Sequence, residues 1–164
     1  MTVTVCSISN SVHVLKRHGP RALNSVLPAL ARSELERLQP GLVLSSLAPG
    51  WSAELAWAAI ELRVPVVGVL KLAEYSGGKL MDPVGVAPRL LRRTEEVLYA
   101  ARGHLAHEAY QEQHCYMIEH SEVLLVLHDG KAGTISSLVN YAHQRELEIV
   151  HLWSKFINAT KESN

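Results

Sequence analysis

The sequence has no surplus of charge: 16 basic residues balance 16 acidic ones over 164 positions, and the isoelectric point lies near 7.1. Such a chain has no general electrostatic attraction for nucleic acid or an anionic membrane, so neither is expected as a partner. Cysteine is almost lacking. Cys6 and Cys115 stand far apart, form no CxxC pair and make no disulfide framework. HExxH spacing is missing too, and no resident metal or other cofactor is expected. No apolar run approaches the ~20 residues of a membrane helix. The opening residues, MTVTVCSISN, lack the charged and apolar regions of a signal peptide, so a soluble, cytoplasmic protein is expected. Neither an internal repeat nor a linker divides the chain. One domain is expected over residues 1–153, with a polar, partly ordered tail over 154–164.

What is present centres on residues 121–142, SEVLLVLHDGKAGTISSLVNYA. Val123 to Leu127 is an unbroken apolar run of the length and composition of a strand buried on both faces. His128 to Thr134 carries the Asp-Gly punctuation of a turn, and Ile135, Leu138, Val139 and Ala142 then recur at helical spacing. A strand that enters a helix through a Gly-containing loop offers unpaired N–H groups, a positive dipole end and close backbone approach to a phosphate.

Elsewhere, Thr2 to Ile8 reads as a strand whose end, Ser7-Ile8-Ser9-Asn10, carries the small polar residues Ser7, Ser9 and Asn10, which line a ligand crevice or merely begin a loop. Ala22 to Leu38 reads as an amphipathic helix that Pro28 either kinks or starts. Leu42 to Leu47 is a second strand. It leads through Gly50, Trp51 and Glu54 into an Ala-rich helix over Ser52 to Leu62, and Val64 to Leu70 is a third strand. Glu54 suits the helix dipole and is equally placed to reach a ribose hydroxyl. Glu74 to Val86 reads as a loop or lid over the mouth of the fold. Pro88 to Ala101 reads as a helix bearing Arg89, Arg92 and Arg93, either a phosphate grip or a solvated face. His104 to Glu119 is a further helix, and Glu148 to Leu152 a fifth strand.

This order of elements predicts a single Rossmann-like, three-layer α/β domain with a mostly parallel five-stranded sheet in the order 3-2-1-4-5. Ligands bind such sheets where the winding direction reverses, beyond the carboxyl ends of the strands. The residues expected there are Ser7, Ser9 and Asn10 with Asp129, Gly130, Ala132, Gly133 and Thr134, while Gly50, Trp51 and Glu54 lie nearby.

The stretch from Tyr110 to Ala142 resembles the SLOG superfamily of Rossmann-like nucleotide-binding domains, in its YspA-like and YpsA-like branch and, more distantly, the Lonely Guy phosphoribohydrolases. The resemblance rests on Tyr110, Met117, Glu122, Asp129, Gly130, Gly133 and Thr134, with Glu54 at the acidic place of the second loop. It implies a nucleotide-type ligand and a homodimer. The branch's Arg-Asn pair is Gln113 and His114 here, which removes a fixed positive charge. The first glycine of its Gly-Gly-Thr is Ala132, and the Lonely Guy catalytic acid falls on Ser137.

The leading functional reading is binding of a nucleotide-derived small ligand: a nucleotide, an ADP-ribose-like molecule or a nucleotide second messenger. An N-glycoside-cleaving nucleotide hydrolase needs a carboxylate, for which Glu54 and Asp129 are candidates, with His114 as a proton carrier. Glu119 and Glu122 belong to the wrong end of the sheet. A ligand-free oligomerisation module is a further alternative. His104, His107 and His114 share a helical face but span too far for one ion, and solvated or core-edge roles suit them better. Trp51, Trp57 and Trp153 read as core or contact residues, with Trp51 the one best placed to stack on a base.

Overall fold

Every residue of Val123–Leu127 is buried, and the chain is wound around that strand. The computed structural model describes residues 2–71, 75–76, 79–80, 86–101 and 106–162. Six strands form one sheet: β1 (Thr4–Ser9), β2 (Leu42–Ser45), β3 (Val66–Lys71), β4 (Glu96–Ala101), β5 (Val123–Leu127) and β6 (Glu148–His151). All pairs are parallel and the order is β4-β3-β2-β1-β5-β6. Residues 75–76 and 79–80 form a separate small antiparallel ladder.

The expected order 3-2-1-4-5 therefore lies inside the observed one, with an extra strand beyond β3. That strand is β4, which occupies part of the segment read as a helix. Only Pro88–Leu91 is helical (α4), and Thr94 Oγ1 donates to the Leu91 carbonyl (2.8 Å) where this short helix ends. Val97 then packs on one face of the sheet and Leu98 and Ala100 on the other, the alternation of a strand, with Tyr99 exposed at 47%. Arg89, Arg92 and Arg93 are exposed around this turn.

The remaining helices are α1 (Val12–Leu15), α2 (Leu27–Leu38), α3 (Trp51–Glu61), α5 (Ala106–Glu119), α6 (Thr134–Gln144) and α7 (Trp153–Glu162). Pro28 stands in the first turn of α2, behind a π-helical turn over Ala22–Val26, so it starts the helix and does not kink it. The face of the sheet covered by α1 to α4 and α7 holds Val5, Val43, Leu47, Trp51, Leu125 and Phe156. The opposite face, under α5 and α6, holds Cys6, Ile8, Leu44, Met117, Leu124 and Leu138. The change of side follows from winding. Crossovers between parallel strands are right-handed, so helices change face when the strand order reverses after β4. Small side chains on α3 (Ala53, Ala56, Ala58 and Ala59) are buried in the first cluster, which supports close intramolecular packing.

Residues 154–162, expected within a partly ordered tail, belong to α7. Leu152, Trp153, Phe156, Ile157 and Thr160 recur at three- to four-residue spacing, and Leu152 and Phe156 are fully buried. A buried carboxylate secures the helix: Glu34 of α2 is 1% exposed and accepts from Lys155 Nζ (2.7 Å) and Arg37 Nη2 (2.7 Å). Burial pushes its carboxyl up, but hydrogen bonds and charge from Lys155 and Arg37 more than offset this and hold it below the usual range. Both cations are about half exposed and regain water when unpaired. Glu34→Ala is expected to cost about 1–2 kcal/mol in urea unfolding, less than a wholly buried pair. A double-mutant cycle with Lys155→Ala should show coupling; additive losses would mean that Glu34 does not anchor α7.

Candidate functional site

A cavity of about 790 Å³ opens at the carboxyl ends of the strands around β1 and β5. The two strand ends are held together there. Asn10 donates its backbone N–H to the Leu127 carbonyl (3.0 Å), and its Oδ1 accepts the Asp129 N–H (2.9 Å). The loop beyond β5 is bonded to itself. Asp129 Oδ1 accepts the Lys131 N–H (3.1 Å), and His128 Nδ1 accepts the Gly130 N–H (3.2 Å). That bond places the proton of neutral His128 on Nε2, which lies 3.5 Å from Asp129 Oδ1. Gly133 precedes α6 with φ +151°, a conformation strained for any side chain, and no side chain caps the helix there. Gly133, Thr134 and Ile135 thus bring the start of an eleven-residue helix to the cavity wall.

The charge around the cavity is unequal. Arg17, Lys71 and Lys131 line it, while Asp129 is the sole carboxylate among the described lining residues. Burial pushes the Asp129 carboxyl up. The Lys131 N–H, the neighbouring His128, Asn10 and the Lys131 charge outweigh that effect, so it stays ionised below the ordinary carboxylate range.

The β2–α3 loop supplies another wall. Leu47 has φ +57° and is fully buried, which sends its side chain into the core while Ser46, Ala48 and Pro49 line the cavity. Ser45 Oγ holds this turn, accepting the Leu47 N–H (3.0 Å) and donating to the Ser52 carbonyl (3.1 Å).

The third wall comes from α5. Gln113 Nε2 donates to the Val69 carbonyl (2.7 Å), tying α5 to the end of β3. His114 is 5% exposed; its Nδ1 lies 2.9 Å from the Tyr110 carbonyl, and the two rings sit 4.1 Å apart. Burial pushes the imidazole down to about 4; the Tyr110 carbonyl opposes this and the Lys71 charge adds to it. Burial likewise pushes the Tyr110 phenol up to about 12. At neutral pH the Tyr110 and His114 side chains are therefore uncharged.

Of the expected site residues, Ser9, Asn10, Asp129, Ala132, Gly133, Thr134 and His114 line the cavity. Ser7, Gly50, Trp51, Glu54 and Gly130 do not. Ser7 is 2% exposed within β1, its hydroxyl without a partner among the described residues. Gly50 lies beneath α1: a Cβ there would stand 3.6 Å from Val12 Cβ and 3.8 Å from Leu15 Cδ1. Trp51 is wholly buried in the core and offers no face to a base. Glu54 lies off the cavity on α3, its carboxyl raised by burial and by Glu61. Gly130, with φ +85°, has only open space beside it. Glu122 is at the far end of the sheet, accepting the Thr4 N–H, and Glu119 is engaged by the Tyr141 hydroxyl between α5 and α6.

Arg17, Ser46, Ser52, Lys71, Tyr110 and His128 were not among the expected residues. Lys71 and His128 follow directly from strand ends, a signal present in the sequence. Arg17 comes from a 3-10 turn after α1 and carries no such signal. Trp57 and Trp153 pack against the first core cluster, as expected. His107 lines the cavity, whereas His104 and the 74–86 loop, apart from residues 75–76, 79–80 and 86, lie outside the described residues.

No family model matches the sequence, and no curated protein matches it. Solved structures do match the fold. The molybdenum cofactor binding protein from the phototrophic bacterium Rippkaea orientalis superposes with a TM-score of 0.59 at 11% identity, covering 98% of this chain and 86% of its own. A Moco carrier protein from Chlamydomonas reinhardtii gives 0.55 at 13% identity, covering 97% and 84%. DNA processing protein A from Streptococcus pneumoniae gives 0.60 at 13% identity, covering 99% of this chain and 57% of its own. At these identities the likeness shows the fold alone: this chain shares their Rossmann-like α/β architecture, in agreement with the fold that the sequence resemblance implies.

The buried imidazole has a measurable consequence. The unfolded chain binds a proton near pH 6.5 that folded His114 refuses until about pH 4, so stability falls as pH drops through that window. The difference amounts to roughly 3 kcal/mol over the whole window. Urea unfolding of His114→Phe should depend less on pH between 6.5 and 4.5 than that of the wild type. Parallel curves would mean that His114 titrates normally when folded.

Proposed function

We propose that this protein binds a nucleotide-derived small ligand in the cavity between β1 and β5, with its phosphate at the start of α6. The observation that carries this reading is the meeting of a helix N-terminus behind Gly133 with Arg17 and Lys131, in a cavity with one carboxylate among its described lining residues. Asp129 and the Asn10 region then offer acceptors for ribose hydroxyls. The cavity volume falls within the range of small-molecule sites.

The molybdenum cofactor is a second reading, supported by the ligand named for the Rippkaea orientalis and Chlamydomonas reinhardtii proteins of like fold. The hydrolase reading loses Glu54, which is outside the cavity, and retains only Asp129 among the described lining acids. Asp129 is engaged by its own loop. Binding alone is therefore the better-supported function.

The test is calorimetric titration and thermal shift with nucleotides, ADP-ribose and cyclic dinucleotides, beside the molybdenum cofactor. Gly133 is a poor target because any side chain there strains the backbone. Lys131→Glu combined with Arg17→Glu changes two exposed charges and should leave the unliganded melting temperature within about 2 °C. It should weaken a phosphate-bearing ligand about tenfold or more. A saturating ligand at 100 times its Kd stabilises the wild type by about 2.7 kcal/mol. No stabilisation by any nucleotide, or equal affinity in the charge-reversed variant, would overturn the reading.

A further inference from the structure

The α5 wall is the part of the cavity that the proposed phosphate contacts leave unused. The Gln113 to Val69 bond brings α5 against β3, so Lys71 at the end of that strand lines the cavity close enough to His114 to act on its charge. Leu70 packs into the core on the other face of the sheet. His114 is almost wholly buried yet lines this cavity. Its Nδ1 lies 2.9 Å from a backbone carbonyl oxygen, which only accepts, so the proton of the neutral ring sits on Nδ1. Nε2 then carries the lone pair. The ring plane is held by contact with Tyr110 at 4.1 Å and 30°.

The same clasp recurs one helical stretch later. His120 Nδ1 lies 2.8 Å from the Tyr116 carbonyl, with the rings again 4.1 Å apart, but that imidazole is in solvent. The local sequence device is thus common to both sites, and placement on the cavity wall distinguishes His114. A lone pair on a side chain held in a buried position of the cavity wall gains most from a donor that a ligand brings.

Building on the nucleotide reading, we infer that His114 Nε2 accepts a hydrogen bond from an amino N–H on the ligand's heterocycle and so determines specificity for amino-substituted rings. Lys71 is a donor on the same side, suited to the ring nitrogen beside such an amino group. An acceptor beside a donor complements the amino edge of adenine. Burial keeps His114 unprotonated at neutral pH, with its pKa pushed down to about 4, so it stays an acceptor.

Calorimetric titration with adenosine monophosphate and with purine riboside monophosphate, which lacks only the amino group, tests this directly. The wild type should bind the amino-bearing nucleotide about tenfold tighter or more. His114→Phe, which keeps an aromatic ring against Tyr110 but has no acceptor, should bring the two within about twofold, whereas His120→Phe should preserve the preference. Equal binding of both nucleotides by the wild type overturns the inference and leaves the nucleotide reading standing. So does a preference that survives in His114→Phe. Binding of neither nucleotide overturns this inference, while the nucleotide reading falls only if the wider ligand series fails as well. The wild-type comparison decides even where the variant fails to fold.

Discussion

The pairing of β1 with β5 is the constraint on which the rest of the molecule depends. Val5 to Ser9 run in register with Val123 to Leu127, although more than a hundred residues separate them in the chain. Once this parallel ladder forms, the chain must wind outward from β1 in one direction and return to continue in the other. Right-handed crossovers then place α5 and α6 on the face opposite α1 to α4. The crevice between the diverging connections is a by-product of that reversal. Asn10 closes the seam by bonding both Leu127 and Asp129, so the geometry of the central strands passes directly into the loop that starts α6.

Two chemically different ends follow. At the β5–α6 loop the polar groups are held by one another: Asp129 by Lys131 and His128, and His128 by Gly130. A loop ordered in this way presents its helix start without having to rearrange, which lowers the entropic cost of holding an anion. At the α5 wall Gln113 and His114 are buried and uncharged, and their bonds run to the backbone carbonyls of Val69 and Tyr110. Desolvation fixes the state of His114 there.

The strands were the most legible elements. The run from Val123 to Leu127 was bounded correctly because burial on both faces leaves an unbroken apolar signature. β4 was misread because it is an edge strand. Its alternation of Val97, Leu98, Tyr99 and Ala100 includes an exposed tyrosine and small residues, and its first charged neighbours suit a helix equally well. The helix α7 was hidden by polar residues between its apolar positions. Its stability comes from Phe156 entering a core built elsewhere and from Lys155 meeting Glu34 on α2, neither of which is local information.

The site divides in the same way. By itself the sequence determined the parallel α/β architecture and the reversal at β1, together with the Gly-led entry into α6, because apolar periodicity and glycine punctuation are local consequences of backbone sterics and burial. Which small-residue loop reaches the cavity was settled only by tertiary packing. Gly50 and Trp51 carry the same kind of local signal as Gly133, yet α1 folds over Gly50 and Trp51 is drawn into the core. Conversely, Arg17, Lys71 and Tyr110 come from three separated segments and line one cavity only because the fold brings those segments to the same edge of the sheet. A side chain's neighbours across the fold decide its exposure, charge state and partners, and a linear pattern does not contain them.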